Sequence, residues 1–259
     1  MHAFILQNNQ LKNNLSKLFV CGRKQHMDIS GYKAVILAGG RATRLYPITK
    51  EVSKPLLPIN KKPIINYLVD LFFYYRVKEV AVLVNKEFRE DFEWWKKRYY
   101  PKKNIHLVVE EIPLGTFGGV SLLKEWIGKS KFFLTNGDEL KNIDLNKMAE
   151  FHNSIDVLGT IGLVKVEDPH NYGVVLCENG LVQEFLEKPE NPTSNYINSG
   201  LYLLDAKMVD YSKPEFLMTE SDIFPMLAKE KKLSGFKFDG AWTDCGTWER
   251  YERAIDSWK

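Results

Sequence analysis

Two short polar stretches concentrate the residue types that handle phosphate. Gly39-Gly-Arg-Ala-Thr-Arg-Leu-Tyr-Pro47 opens on a glycine pair and carries Thr43 and Arg44, and Ser53-Lys54-Pro55 follows shortly after. Glycines let backbone N–H groups approach a phosphate or a base closely, and the planar fork of Arg44 donates to phosphate oxygens. The first stretch leaves a predicted strand, Ala34-Val-Ile-Leu-Ala38, at the sheet edge where open α/β folds bind ligands. A bland turn would explain Gly39 and Gly40 but not the cations that follow. Neither G-x-x-x-x-G-K-[ST] nor G-x-G-x-x-G occurs here, which argues against a P-loop enzyme and a dinucleotide-dependent oxidoreductase.

Two aspartates invite a matching reading. Asp138 follows Asn136-Gly137 at the end of a predicted buried strand, so its carboxylate projects from the strand's carboxyl end; a surface-turn aspartate is the alternative. Asp244, after Ala241-Trp242-Thr243, reads similarly, or as an aspartate ahead of a helix that starts at Thr247. Phosphoryl-group chemistry between two polyanions needs compensating charge more than a protein nucleophile, and these cations and carboxylates suffice for it. His106, His152 and His170 have no partner at metal spacing, leaving zinc or histidine-base chemistry without support. Cys21, Cys177 and Cys245 are far apart and form no C-x-x-C, a pattern that suits a reducing cytoplasm. Trp94-Trp95 and the aromatics of Phe72 to Tyr75 read as helix core rather than a cofactor platform.

The elements that must position these residues follow a βα rhythm. From Lys33, short β-branched runs alternate with amphipathic stretches: strands at 34–38, 80–84, 105–109 and 131–135, and helices from Pro63 to Tyr75, 88–98 and 120–127. After Asp156 strands dominate, at 157–166, 172–177 and 181–185, with Glu178-Asn-Gly180 as a hairpin turn and a further run at 196–204. A helix at 222–229, a strand at 233–238 and a helix from Thr247 close the chain. The expected organisation is a loose extension over residues 1–30 and a single catalytic domain over 31–259, with a β-rich part at about 157–217. With 44% hydrophobic and 27% charged residues the composition is that of a folded domain, and no apolar run approaches the roughly 20 residues of a membrane span. The 36 basic and 33 acidic residues are spread without a basic block, so neither nucleic acid nor membrane is expected as a partner.

Gly39 to Pro47 together with Lys54-Pro55-Leu56-Leu57-Pro58 resembles the signature of the sugar-1-phosphate nucleotidyltransferase family. The resemblance continues in family order through Pro113-Leu-Gly-Thr116, Asn136-Gly-Asp138, Tyr172-Gly173, Glu187-Lys-Pro189, Asn198-Ser-Gly200 and Trp242-Thr-Asp244-Cys-Gly246, covering residues 33–259. It implies a Rossmann-like three-layer α/β/α fold whose β-rich part binds sugar. It also implies transfer of a nucleoside monophosphate from a triphosphate to a sugar-1-phosphate with Mg2+. By the resemblance Arg44 and Lys54 hold the nucleotide phosphates, and Leu37, Ala38, Gly39, Gly40, Glu110, Gly115 and Thr116 form the nucleotide site. Gly173, Glu187, Lys188 and Asn198 take the sugar phosphate, and Asp138 and Asp244 the metal. In isolation Glu187-Lys188-Pro189 reads better as a solvated turn. A homo-oligomer is compatible with the sequence, and a non-catalytic regulatory subunit is the rival from another class.

Departures from the family pattern carry their own expectations. Ala42 stands where a third glycine is usual, which a tight loop tolerates if its φ is negative. Phe117 replaces a small residue and is expected to reshape the base or ribose wall, and Cys245 replaces an aliphatic residue as a buried small hydrophobe. The run Glu110 to Thr116 looks more like the guanylyltransferase branch, which handles mannose or heptose phosphates, than the thymidylyltransferase branch. Guanine presents N1–H and N2–H2 side by side, which a carboxylate accepts together, whereas thymine or uracil suits an amide. GTP is therefore the favoured donor, with glucose-1-phosphate thymidylyl or uridylyl transfer as the alternative.

Overall fold

The computed structural model describes residues 27–258. The chain forms β1 (Lys33–Ala38), a small hairpin of β2 (Pro58–Ile59) and β3 (Lys62–Pro63), α1 (Ile64–Tyr74), β4 (Glu79–Asn85), α2 (Arg89–Tyr99) and β5 (Ile105–Glu110). It continues with α3 (Lys124–Ile127), β6 (Phe132–Asn136), β7 (Glu139–Lys141), α4 (Leu145–Asn153), β8 (Gly159–Lys165), β9 (Gly173–Glu178) and β10 (Leu181–Glu187). β11 (Tyr196–Leu204), α5 (Phe224–Lys229), β12 (Leu233–Lys237), β13 (Trp242–Asp244) and α6 (Trp248–Ser257) complete it.

Nine strands make one sheet in the order β5-β4-β1-β6-β11-β8-β12-β10-β9. β1 runs parallel to β4 and β6, β4 runs parallel to β5, and β11 enters antiparallel between β6 and β8. Alternate side chains of β1 and β4 enter two different cores. Ile36 and Val82 pack with α1, α2 and α4, whereas Val35 and Leu83 pack with α3 and α5. A strand buried on both faces has no polar side to alternate with, which is why these runs are continuously apolar. The result is the α/β/α arrangement the sequence implied, and the strands expected as an appended β region extend the same sheet. Asn179 and Gly180, at φ 49° and 81°, turn β9 into β10 as a hairpin, with Glu178 facing Leu181.

Several details differ from the sequence expectation. Residues 1–26 of the expected loose extension lie outside the described residues, but Ile29 is buried in the core and its carbonyl accepts from Tyr32 N at 2.9 Å. The helix expected at 120–127 is a 3-10 stretch over Gly118–Leu123 followed by one turn of α3, consistent with two leading glycines that resist helix. The helix α4 was not foreseen, although Asp144 caps it by accepting from Asn146 and Lys147, and Leu145, Met148 and Ala149 give it a buried stripe. Phe117 is fully buried against Val35, Leu83 and Phe224 in the second core, so it supports the cleft from behind rather than forming its wall.

Ala42 also departs from expectation: its backbone is left-handed, at φ 48° and ψ 45°. Its carbonyl is fixed there by Leu45 N at 3.0 Å and Thr49 Oγ1 at 2.8 Å, which leaves little room to relax. A Cβ in that region costs about 1–2 kcal/mol. Ala42→Gly removes this strain but adds unfolded-chain entropy, so a net gain of roughly 0.5–1 kcal/mol is expected. Urea unfolding should show a higher midpoint with unchanged slope.

Candidate active site

The carboxyl ends of β1, β5 and β6 open into a cleft of about 480 Å3. Leu37, Ala38, Gly39 and Gly40 line one side, Gly115 and Thr116 another, with Glu110, Lys54 and Asp138 between them. All of the expected nucleotide residues thus share one space with one of the two expected phosphate cations and one of the two aspartates.

Lys54 Nζ is ion-paired with Asp138, the two side chains being 12% and 24% exposed. Burial works against both charges, but each overcomes it for the other: Lys54 is held above the usual ammonium pKa and Asp138 below the usual carboxylate range. Two short elements fix this pair. Lys54 begins a 3-10 turn closed by Leu57 N bonding back to Lys54 O, and Asp138 sits in the turn between β6 and β7. Behind them Leu45, Leu57, Leu140, Cys245 and Tyr251 form a small third core that ties the phosphate loop to α6. Cys245 is the buried small hydrophobe expected.

The second aspartate arrives by a route the sequence did not reveal. β7 and β13 form a two-stranded antiparallel ribbon in which Asp244 faces Glu139, and Cys245 N donates to Asp138 O at 3.2 Å. Asp244 therefore lies beside Asp138 along the chain path, but its side chain lines a neighbouring cleft of about 530 Å3 with Tyr172 and Trp242. Its carboxylate accepts from Gly246 N at 3.0 Å, from Tyr172 Oη at 3.1 Å, and from Arg250 Nη1 at 3.1 and 3.3 Å. Arg250 was not anticipated; its guanidinium also lies over the Tyr172 ring, 4.7 Å from the centroid. Arg44 is exposed, and its guanidinium head lies toward the Asp244–Gly246 turn.

Asp138, in the turn that leads into β7, and Asp244, at the end of β13, are hard carboxylates of the kind that suits Mg2+, which takes one or two carboxylates together with substrate oxygens, but their side chains line separate clefts. Among the described residues no group of three or more acidic, histidine or cysteine side chains forms a metal cage of the protein's own.

Glu110 ends β5 at the cleft and is 8% exposed. Its Oε1 is buried without a hydrogen-bond partner, and burial alone pushes its carboxyl up to about 7. The carboxylate is wedged between two glycines: a Cβ on Gly39 would lie 2.3 Å from Oε2, and one on Gly119 would lie 2.5 Å from Oε1.

The residues expected on the sugar side form a separate group outside the 480 Å3 cleft. Gly173 faces Glu187 across β9 and β10, and a Cβ on Gly173 would meet the Phe185 ring at 2.7 Å. Glu187 and Lys188 pair with each other at 2.9 Å and stay 42% and 57% exposed. Asn198, on β11, donates to Tyr202 Oη at 2.9 Å. A hydrogen-bonded chain joins the two groups. Tyr202 Oη donates to Glu220 Oε1 at 3.3 Å, Thr116 Oγ1 donates to Glu220 Oε2 at 2.6 Å, and Thr219 N donates to Thr116 Oγ1 at 2.8 Å. Thr116 thus spends its hydroxyl on the protein and has its backbone left to offer a ligand. Glu220 escaped sequence reasoning because its partners are 18 and 104 residues away.

A mannose-1-phosphate guanyltransferase of Schizosaccharomyces pombe is 35% identical over 83% of this chain and 61% of its own length. The catalytic subunit beta of mannose-1-phosphate guanylyltransferase from Xenopus tropicalis is 36% identical over the same shares, so the chain spans about three-fifths of these relatives. Among solved structures, a Bacillus anthracis protein assigned as a glucose-1-phosphate thymidylyltransferase, in complex with sucrose, superposes with TM-score 0.79 at 28% identity, covering 87% of this chain and 94% of that one. HddC from Yersinia pseudotuberculosis, complexed with GMP-PN, does so with TM-score 0.74 at 28% identity, covering 88% and 100%. The family model for nucleotidyl transferases matches residues 33–258, nearly the whole chain, and on that match the chain belongs to the nucleotidyl transferase family.

Proposed function

We propose that the chain transfers a nucleoside monophosphate, preferentially from GTP, to a mannose- or heptose-like sugar-1-phosphate and releases pyrophosphate. The observation that carries this reading is the single cleft in which the Gly39-Gly40 loop, the Lys54–Asp138 pair and the unpartnered Glu110 face the same space. A phosphate oxygen of the sugar-1-phosphate attacks the α-phosphorus in line, the bond to the β-phosphate bridging oxygen breaks, and pyrophosphate leaves without a covalent enzyme intermediate. Lys54 and Arg44 offset the charge that builds on the phosphates, while Gly39 and Gly40 let the loop backbone approach them. Glu187, Lys188, Gly173 and Asn198 hold the sugar and its phosphate. Asp138 and Asp244 would hold Mg2+, which when bound supplies further charge neutralisation. Free Cys177 and Cys245 are in keeping with a reducing cytoplasm, and no helix of the described residues is long and apolar enough to cross a membrane.

The base preference rests on Glu110. An acceptor-only carboxylate that lines the cleft, with its buried Oε1 left without a hydrogen-bond partner, matches the adjacent donors of guanine. A relative named as a guanyltransferase and a neighbour complexed with GMP-PN support the same choice. The test is pyrophosphate release with GTP, dTTP, UTP and CTP against mannose-1-phosphate and glucose-1-phosphate. GTP with mannose-1-phosphate is expected to lead; a dTTP or UTP preference that survives Glu110→Gln would sink the base assignment. Binding without turnover in every combination would favour a regulatory subunit instead.

The titration of Glu110 gives an independent check. With its carboxyl near 7, the form that accepts both guanine donors predominates above that pH and is lost below it. The KM for GTP should therefore rise as pH falls from 8 to 6, by up to about tenfold for a single titrating group, and Glu110→Gln should flatten that dependence.

A further inference from the structure

Residues 214–218 lie as a strap across the loop that carries Gly115 and Gly118. Leu217 N donates to Leu114 O at 3.1 Å, and Phe117 N and Gly118 N both donate to Leu217 O, at 2.9 and 3.2 Å. The approach is so close that a Cβ on Gly115 would meet Leu217 O at 2.4 Å, and one on Gly118 would meet Glu215 O at 2.0 Å. Beyond the strap, Asp222 Oδ2 accepts from Met218 N at 2.7 Å. The chain is thus pinned at Leu217 and Met218, immediately after Phe216, which is nevertheless 66% exposed. Phe216 lines the 480 Å3 cleft, and among the described residues it is the only aromatic side chain to do so.

We propose that Phe216 stacks on the face of the nucleobase while Glu110 reads its edge. The proposal rests on the nucleotide reading of the cleft and adds to it a residue that none of the sequence motifs contains. The other apolar side chains that line the cleft, among them Leu37, Pro113 and Leu114, offer aliphatic contact but no π-face. An aromatic ring held at a cleft mouth by backbone bonds gives a base a platform without the cost of ordering a loop.

The experiment uses the full chain with Phe216→Ala, Phe216→Leu and Phe216→Trp. It measures KM and kcat for the preferred triphosphate, inhibition by inorganic tripolyphosphate, and melting temperature. Alanine substitution of a stacking platform weakens binding by a factor on the order of ten, so Phe216→Ala should raise KM about tenfold with kcat little changed. Tripolyphosphate has no base, and its inhibition constant should not move. The exposed ring should leave the melting temperature where it was. Phe216→Leu should lose most of the effect of the ring, whereas Phe216→Trp should keep KM and show emission quenched by nucleotide. A KM for Phe216→Ala within about twofold of wild type overturns the stack while leaving the cleft reading in place. An equal loss of tripolyphosphate inhibition also overturns it, because the strap would then act on the phosphate loop. Failure of the wild-type chain to bind any triphosphate removes the cleft reading and this proposal together.

Discussion

Asp138→Asn is expected to reduce turnover by roughly 10^3-fold or more while leaving a folded protein that still binds the triphosphate. The carboxylate has two duties that the amide cannot share. It holds the Lys54 ammonium in the cleft, and it offers a hard anionic oxygen where the reacting phosphates accumulate charge. The amide keeps the volume of the side chain, so the turn between β6 and β7 has no cavity to collapse into. The pair is partly solvated, and Lys54 can find water or substrate phosphate once Asp138 is neutral, which keeps the stability loss well below that of a fully buried pair. Initial rates with saturating Mg2+, nucleotide binding and thermal unfolding together check the claim. Asp244→Asn should act in the same direction, with the added signature that Arg250 and Tyr172 lose their ionic partner. Turnover near that of wild type in either variant would remove that residue from the metal site.

The divergent outcomes for neighbouring residues show what a sequence can display. β1, β4 and β6 were legible because each is an apolar run long enough to cross a sheet buried on both faces. The last helix was legible at its start, where Thr247 caps it and accepts from Arg250 N. The β7–β13 ribbon was not, because strands of three residues have no period to read, and their pairing joins positions about a hundred residues apart. The residues expected around the nucleotide were found by their motifs and come together in one cleft, but motifs did not convey orientation. Phe117 shows this best: the same sequence position that suggested a wall residue turns its ring into the core, while Phe216, outside every motif, faces the cleft. Ala42 shows the limit for backbone conformation, since its left-handed φ is imposed by hydrogen bonds from Leu45 and Thr49 rather than by its own side chain.

Lys141→Met is expected to cost about 3–5 kcal/mol of stability, the range for a buried pair that loses one partner. Its side chain is 0% exposed and that of Glu139 is 9% exposed. Lys141 Nζ donates to Ser199 O at 2.8 Å, to Thr135 Oγ1 at 3.0 Å and to Glu139 Oε2 at 3.2 Å, using all three of its donors. Glu139 in turn accepts from Asn136 Nδ2 at 2.8 Å and Trp242 Nε1 at 3.0 Å, and a Cβ on Gly200 would lie 2.3 Å from its Oε1. Burial pushes the Glu139 carboxyl up and the Lys141 ammonium down, so neither charge would be comfortable alone. The pair ties β6, β7, β11 and β13 together, which makes it the anchor of the ribbon that starts just after Asp138 and ends in Asp244. Lys141→Met leaves Glu139 charged, enclosed and short of a cation, whereas Lys141→Met with Glu139→Gln removes the uncompensated charge and should recover much of the loss. Urea unfolding of the wild type, both single variants and the double variant closes the cycle. Additive losses across the cycle would mean that the two side chains do not act as a pair, and that the ribbon is held by its backbone alone.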